Sequence, residues 1–299
     1  MTTPISPELI EAMRLLGLRP EDAHQLSPYE INRLREVREE PRHDFDIVPG
    51  ATLDDFEPTA LKRLLGAVRD RLTRPFVFLS RHELLEGIGA IRPDGAVRRP
   101  TLAGLLAAGR KPQRFFPSLQ IVFTRWAGTP GDAERLRTKE LTGSIPDILL
   151  DALDQMRLNM REPAIITGAL RRNYPDYSTK AVLEALTNAL QHRDYSAESR
   201  GMPVRIDMYD DRLEISSPGG PLRGGGLGMV DGIRPIRNQY LTRLLASTPL
   251  MGGFAVEDRG WGFAAIREAL EKDGLPEVRI RHSLANFVVT FPKRPWPIA

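Results

Sequence analysis

The sequence predicts an α+β protein with a helical N-terminal arm and two larger parts. Three observations carry this. Residues 178–192 repeat apolar side chains at the helical period, and residues 204–215 then alternate at the strand period. The same succession returns near the C-terminus, with a helical stretch at 263–273 and alternating segments at 278–282 and 286–291. Between the halves stands Glu162-Pro163, and a proline pushes the residue before it out of the helical region. The expected divisions are an arm at 1–48, a middle domain at 49–157 and a C-terminal domain at 158–299.

In the arm, Pro7–Gly17 and Ser27–Glu39 read as helices, with Ser27 capping the second ahead of Pro28. In the middle part, Asp54–Arg71 and Ser80–Ile91 are expected helices, the latter capped by Ser80. Asp94-Gly95 marks a turn, Thr101–Ala108 is short and apolar, Gln120–Trp126 alternates as a strand, and Ser144–Met160 is a long helix. A helix–turn–helix reading of 80–108 competes with a plain packing unit, and no arginine-rich recognition helix marks it. Beyond residue 158 the order is helix, hairpin, glycine loop, helix, hairpin, which suits a mixed sheet with helices on one face.

Composition narrows the chemistry. The 299 residues hold 41% hydrophobic and 27% charged side chains and no cysteine. That leaves no disulfide framework, thiolate nucleophile or cysteine–zinc site. No apolar run approaches the roughly 18 residues that span a bilayer. The N-terminus lacks a basic stretch followed by an apolar core, so a cytoplasmic setting is expected. The net charge is +3, and six lysines leave arginine as 36 of the 42 basic residues. Arginine forks onto phosphate, so DNA is one expected partner. Interspersed acidic residues and the absence of a long basic run favour a compositional bias instead. The five histidines show no zinc-helix spacing.

The stretch 178–220 carries the strongest signal. Val182, Leu183, Leu186, Ala189 and Leu190 form one helical stripe. Glu184 and Asn188 stand one turn apart on another face. A hairpin follows: Val204, Ile206 and Met208, then a turn at Asp210-Asp211, then Leu213 and Ile215. It ends in Ser217-Pro218-Gly219-Gly220. Further on come Gly224-Gly225-Gly226-Leu227-Gly228 and Gly260-Trp261-Gly262.

Glu-x-x-x-Asn on a helix, a strand pair and a glycine turn together resemble the GHKL, or Bergerat, ATP-binding fold. The run Asn188-Ala189-Leu190-Gln191-His192-Arg193-Asp194-Tyr195 with Ser217-Pro218-Gly219-Gly220 resembles one branch more closely. That branch holds the RecG-like ATP-binding module of proteins described as bacterial transcriptional regulators. The segment from Leu102 through Pro117, with its Gly109–Pro117 run, resembles the same family. So do residues 27–34 and 50–56, which there follow a Schlafen-type AlbA domain whose body is missing here.

The resemblance implies a Bergerat-like mixed sheet in 158–299, with ATP and Mg2+ as cofactors. It implies that Glu184 activates a water and that Asn188 holds magnesium. It places Ser217, Gly219 and Gly220 at the base and Gly260 and Gly262 at the phosphates. A serine where the superfamily carries an aspartate is a departure, and so is Phe263 in place of an isoleucine. Hydrolysis, if present, is expected to be slow and Mg-dependent, because no arginine finger or phosphate-binding lysine is evident. The regulator reading stands beside two others. One is a nucleotide-free scaffold acting through a homodimer or protein complex, its pocket filled by Trp261 and Phe263. The other is a DNA-binding regulator working through the middle domain. His192-Arg193-Asp194 is not a kinase loop, since the other kinase signatures are absent; Arg193 and Asp194 are expected to fix the turn after the helix. Gly224–Gly228 does not open a βαβ unit and is expected to cover the nucleotide.

Overall fold

The computed structural model describes residues 10, 11, 13, 19, 21, 26–36, 42–71, 79–167, 170–221, 236–256 and 262–296. Most of the expected helix at 7–17, the glycine loop 224–228, and Gly260 and Trp261 lie outside the described residues.

Helix α1 spans Pro28–Glu36. Ser27 caps it in a reciprocal pair, its main-chain N–H donating to Glu30 Oε2 at 2.9 Å and its Oγ accepting from Glu30 N at 3.3 Å. Helix α2 is Pro58–Arg71 rather than 54–71. Leu53–Asp55 form a separate 3-10 turn, and Pro58 disfavours helix at Glu57. Helix α3 is Arg81–Gly87, with the expected Ser80 cap. It stops before Ile91, which opens strand β1 (Ile91–Asp94), paired with β2 (Val97–Pro100) across the turn at Asp94-Gly95. Helix α4, Leu102–Ala108, is buried at every residue. It is therefore a core helix and presents no face to a DNA groove.

The centre of the molecule is a six-stranded mixed sheet in the order β11-β12-β8-β7-β3-β4. Its strands are β3 (Ile121–Ala127), β4 (Glu134–Leu141), β7 (Val204–Met208), β8 (Arg212–Pro218), β11 (Arg279–His282) and β12 (Asn286–Pro292). Neighbours run antiparallel except β3 and β7, which are parallel. Hydrogen-bonded ladders thus cross residue 158, with two strands from the expected middle domain and four from the C-terminal part. Register aligns one apolar face. Phe123 lies beside Ile206, Ile206 beside Ile215 and Ile215 beside Val289, and all four are buried.

Helices α5 (Ile145–Asn159) and α6 (Thr179–Gln191) pack on strands of this sheet. Helix α6 also packs on α5 and, more extensively, on α8 (Gly262–Asp273). Alternate residues on the opposite face are polar: Trp126 Nε1 donates to Asp207 Oδ1 at 2.9 Å, and Arg281 lies 3.7 Å from Glu214. Two hairpins were not anticipated, β5–β6 (Ala164–Thr167, Leu170–Asn173) and β9–β10 (Pro249–Leu250, Gly253–Phe254). Neither β4 nor these short strands alternates cleanly in sequence. Helix α7 is Gln239–Leu245, whereas the sequence after the glycine loop reads as helix from Ile236 to Ala246.

The N-terminal segment is stitched to the C-terminal part. Tyr29 donates its hydroxyl to Asp194 Oδ2 at 2.8 Å, and Phe45 stacks on Tyr240 with ring centroids 3.8 Å apart. Asp44 is buried, and its Oδ2 accepts from Leu241 N, in the first turn of α7, at 2.8 Å.

Candidate functional site

The site is built on α6. Ser178 starts the helix, its Oγ accepting from Ala181 N at 3.4 Å. Ala181, Val182, Ala185, Leu186 and Leu190 are buried, which fixes the rotation of the helix on the sheet. That rotation leaves Glu184 and Asn188 half-buried rather than on an open surface. Asn188 Nδ2 donates to Glu184 Oε1 at 3.3 Å, as the spacing of one turn predicts.

Both side chains meet the first residue of α8. A Cβ added to Gly262 would lie 2.7 Å from Asn188 Nδ2 and 3.1 Å from both Asn188 Oδ1 and Glu184 Oε1. A side chain here would have to displace the Asn188 amide. The first turn of a helix carries N–H groups without helical partners and the positive end of the helix dipole. An amide oxygen, a carboxylate and a helix N-terminus therefore converge at one place, although α6 and α8 are separated in sequence by the hairpin and the glycine loop.

The Ser-Pro-Gly-Gly turn flanks the C-terminal end of α6, next to Asn188. Ser217 Oγ donates to the Ala189 carbonyl at 2.8 Å, and Asp194 N donates to the Pro218 carbonyl at 3.0 Å. Gly219 N and Gly220 N donate to the carbonyls of Ala285 and Leu284 at 2.8 and 3.0 Å. The turn's amide donors are thus occupied within the protein, and Ser217, Pro218, Gly219 and Gly220 are all buried. Gly219 has φ +95°, a left-handed conformation that favours glycine.

Arg193 and Asp194 fix the chain after α6. Asp194 Oδ1 accepts from Ser196 N at 2.9 Å, and Arg193, fully buried, donates to the Ser199 carbonyl at 2.9 Å. Burial holds the Arg193 guanidinium below its usual pKa. Asp44 is shifted upward to about 6, chiefly by burial; hydrogen bonds from the Leu241 and Tyr240 amides oppose the shift.

Sequence reasoning did not find Arg237, Asn238 or Asp44 as members of this region. Arg237 and Asn238 fall within the expected helix Ile236–Ala246, and Asp44 carries no motif. Their partners lie 17 to 197 residues away, so no local pattern marks them. Phe263, at the start of α8, packs on Phe287 of β12 with centroids 6.2 Å apart. A separate groove of about 680 Å3 lies between α2 and the β9–β10 hairpin, lined by Arg63, Ala67, Asp70, Leu250, Met251 and Phe254 among others. None of the expected site residues lines it.

The residues present fit a magnesium nucleotide in one respect. Magnesium takes hard oxygen ligands and keeps several waters, so one protein amide oxygen with phosphate oxygens is a sufficient set. Among the described residues no cluster of three acidic or histidine side chains offers an all-protein metal cage. Nor is any described helix long and apolar enough to cross a membrane.

Comparison with known proteins agrees with the C-terminal half of this picture. Residues 201–291 match the family model described as "Putative ATP-dependent DNA helicase recG C-terminal". Residues 32–122 match a "Domain of unknown function (DUF8451)". Each covers less than half of the chain. The first spans β7 to β12, holds Ser217, Gly219, Gly220, Gly260 and Gly262, and begins after α6, so Glu184 and Asn188 lie outside it. No curated protein matches. Among solved structures, the DIP2311 protein from Corynebacterium diphtheriae has a similar fold, with a TM-score of 0.59 and 22% identity. The match covers 89% of this chain and 51% of that one, so the chain spans about half the length of its structural relative. The protein is thus an α+β chain whose C-terminal part is similar to an ATPase-like domain family.

Proposed function

We propose that the protein binds Mg-ATP on the Glu184–Asn188 face of α6 and acts as a nucleotide-dependent regulator. The observation that carries the reading is the convergence of Asn188, Glu184 and the N-terminus of α8 at Gly262, where an added Cβ would lie 2.7 Å from Asn188 Nδ2. Asn188 Oδ1 would hold the magnesium ion, whose chemistry is to shield phosphate charge. The first turn of α8 suits a phosphate, because its N–H groups and dipole favour anions. Ser217, whose hydroxyl meets the Ala189 carbonyl next to Asn188, and the glycine turn are where the family resemblance puts the base. Glu184, a carboxylate one turn from the metal-binding amide, is placed to orient a water and accept its proton. Slow hydrolysis is the expected activity, because the sequence shows no arginine finger or dedicated phosphate-binding lysine. The similarity of residues 201–291 to the RecG C-terminal family supports the nucleotide part of the reading. The regulatory part rests on the resemblance of the 188–220 motifs to the AlbA-associated regulators.

Calorimetry tests it: Mg-ATP should bind the full chain, and Asn188→Ala should weaken binding at least tenfold without loss of helix content. Absence of binding at millimolar nucleotide would remove the reading. One observation favours a second reading, a nucleotide-free scaffold. The Gly262 main chain already rests on the Glu184–Asn188 pair. In that case Asn188→Ala would change stability, and nucleotide would change nothing.

A further inference from the structure

The groove between α2 and the β9–β10 hairpin is built from one side of each element. On α2 its wall is Arg63, Gly66, Ala67, Asp70 and Arg71, which stand three and four residues apart and so share a face. Gly66 and Ala67 are small, which leaves a trough of about 680 Å3. On the hairpin, Met251 and Gly252 form the two-residue turn between the paired Leu250 and Gly253. Both have positive φ, +49° and +83°, and Met251 is the one described residue other than glycine that does. Such turns favour asparagine or glycine at the first position. The backbone thus holds a methionine in a conformation methionine disfavours. That methionine is 56% exposed, and Phe254 beside it in the groove wall is 39% exposed. Arg71 lies over the Phe254 ring, 4.3 Å from its centroid. Methionine moulds itself to an irregular apolar partner.

A surface of matching chemistry lies on the outer side of α5. Leu150 and Leu158 are 41% and 72% exposed. Asp151, Asp154 and Arg157 are exposed around them, with Asp154 and Arg157 3.7 Å apart. The charges of the two helices fit in one direction only. On α2, Arg63 precedes Asp70 by about 10.5 Å of helix; on α5, Asp151 precedes Arg157 by about 9 Å. Laid parallel, the helices bring Arg63 to Asp151 and Asp70 to Arg157. Laid antiparallel, they bring arginine to arginine and aspartate to aspartate. Within one chain α2 and α5 both pack on the buried helix α4, so the α5 that enters the groove must come from another molecule.

We propose that the groove of one copy receives the outer face of α5 of a second copy, with the two helices parallel and Leu150 and Leu158 covering the apolar floor. The contact joins different patches of the two molecules and is therefore heterologous. It stands apart from the nucleotide reading, because neither Glu184 nor Asn188 takes part.

Sedimentation velocity on the full chain, from micromolar to hundreds of micromolar, tests the proposal. The average mass should rise above that of the monomer as concentration increases. Leu158→Glu and Met251→Glu should each weaken self-association at least tenfold and keep the circular dichroism of the parent. An equimolar mixture of these two variants should form dimers, because the intact groove of the first meets the intact α5 of the second. Arg63→Asp and Asp151→Arg should each weaken association, and the double variant, which restores opposite charges, should recover it. A parent that stays monomeric throughout overturns the proposal and assigns the groove to another occupant. So does a variant mixture that stays monomeric, or a double variant no better than its singles. If a glutamate variant misfolds, the charge exchange decides alone.

Discussion

At the scale of single residues, the site depends on a missing side chain as much as on those present. Gly262 brings the start of α8 onto Asn188 and Glu184. An added methyl would sit closer to Asn188 Nδ2 than van der Waals contact allows, so the amide must rotate or α8 must shift. Gly262→Ala should lower Mg-ATP affinity by at least tenfold, about 1.4 kcal/mol. Its circular dichroism should match the parent; unchanged affinity would show that the pair does not touch the ligand.

Asp44 is the second residue-scale case. Its folded pKa of about 6 lies above the usual carboxylate value of 3.8. The folded state therefore holds the proton more tightly than the unfolded state. That contribution to stability is complete below about pH 4 and is lost as the pH rises through about 6. Asp44→Asn keeps an acceptor for Leu241 N and removes the charge. Its stability relative to the parent should improve between pH 4 and 7, by on the order of 2–3 kcal/mol. Urea unfolding at pH 4.5, 6 and 7.5 measures this, and a difference that does not change with pH would refute it.

At the scale of elements, caps and close packing set where helices begin and how they lie. Thr101 precedes α4, its Oγ1 accepting from Gly104 N at 3.0 Å and donating to the Gly89 carbonyl at 2.7 Å. Both bonds are buried, so Thr101→Val strands a donor and an acceptor. A loss of about 2 kcal/mol in denaturant unfolding is expected. Helix α6 is positioned by a buried stripe, so Leu186→Ala should cost about 2–5 kcal/mol, whereas Glu184→Gln should stay within about 0.5 kcal/mol. If Glu184→Gln proved as costly as Leu186→Ala, the carboxylate would be part of the packing and not of a site.

At the scale of the whole molecule, the expected boundary at 157/158 falls inside one sheet. Strand β7 pairs with β3 across it, and Ile121, Phe123, Val204 and Ile206 share a buried face. Removing residues 1–157 would expose the β7 edge and this apolar surface to water. The 158–299 fragment should be insoluble or lack a cooperative transition, while the full chain should unfold in one step by calorimetry. A fragment that folds and binds nucleotide alone would show the two parts to be independent.

The sequence by itself determined what depends on neighbours along the chain. The amphipathic stripe of α6, the alternation of β7 and β8, the Ser27 and Ser80 caps and the meeting of Glu184 with Asn188 were all legible there, because each is a relation within a few residues. Strand β4 was not, because it is an edge strand exposed at all but its last residue and so carries no alternation. Tertiary structure alone decided that β3 joins β7, that Gly262 lands on Asn188 and that Arg237 grips both α6 and the glycine turn. Those contacts join residues 17 or more positions apart, and they exist only once the sheet has closed and burial has set each helix at one rotation.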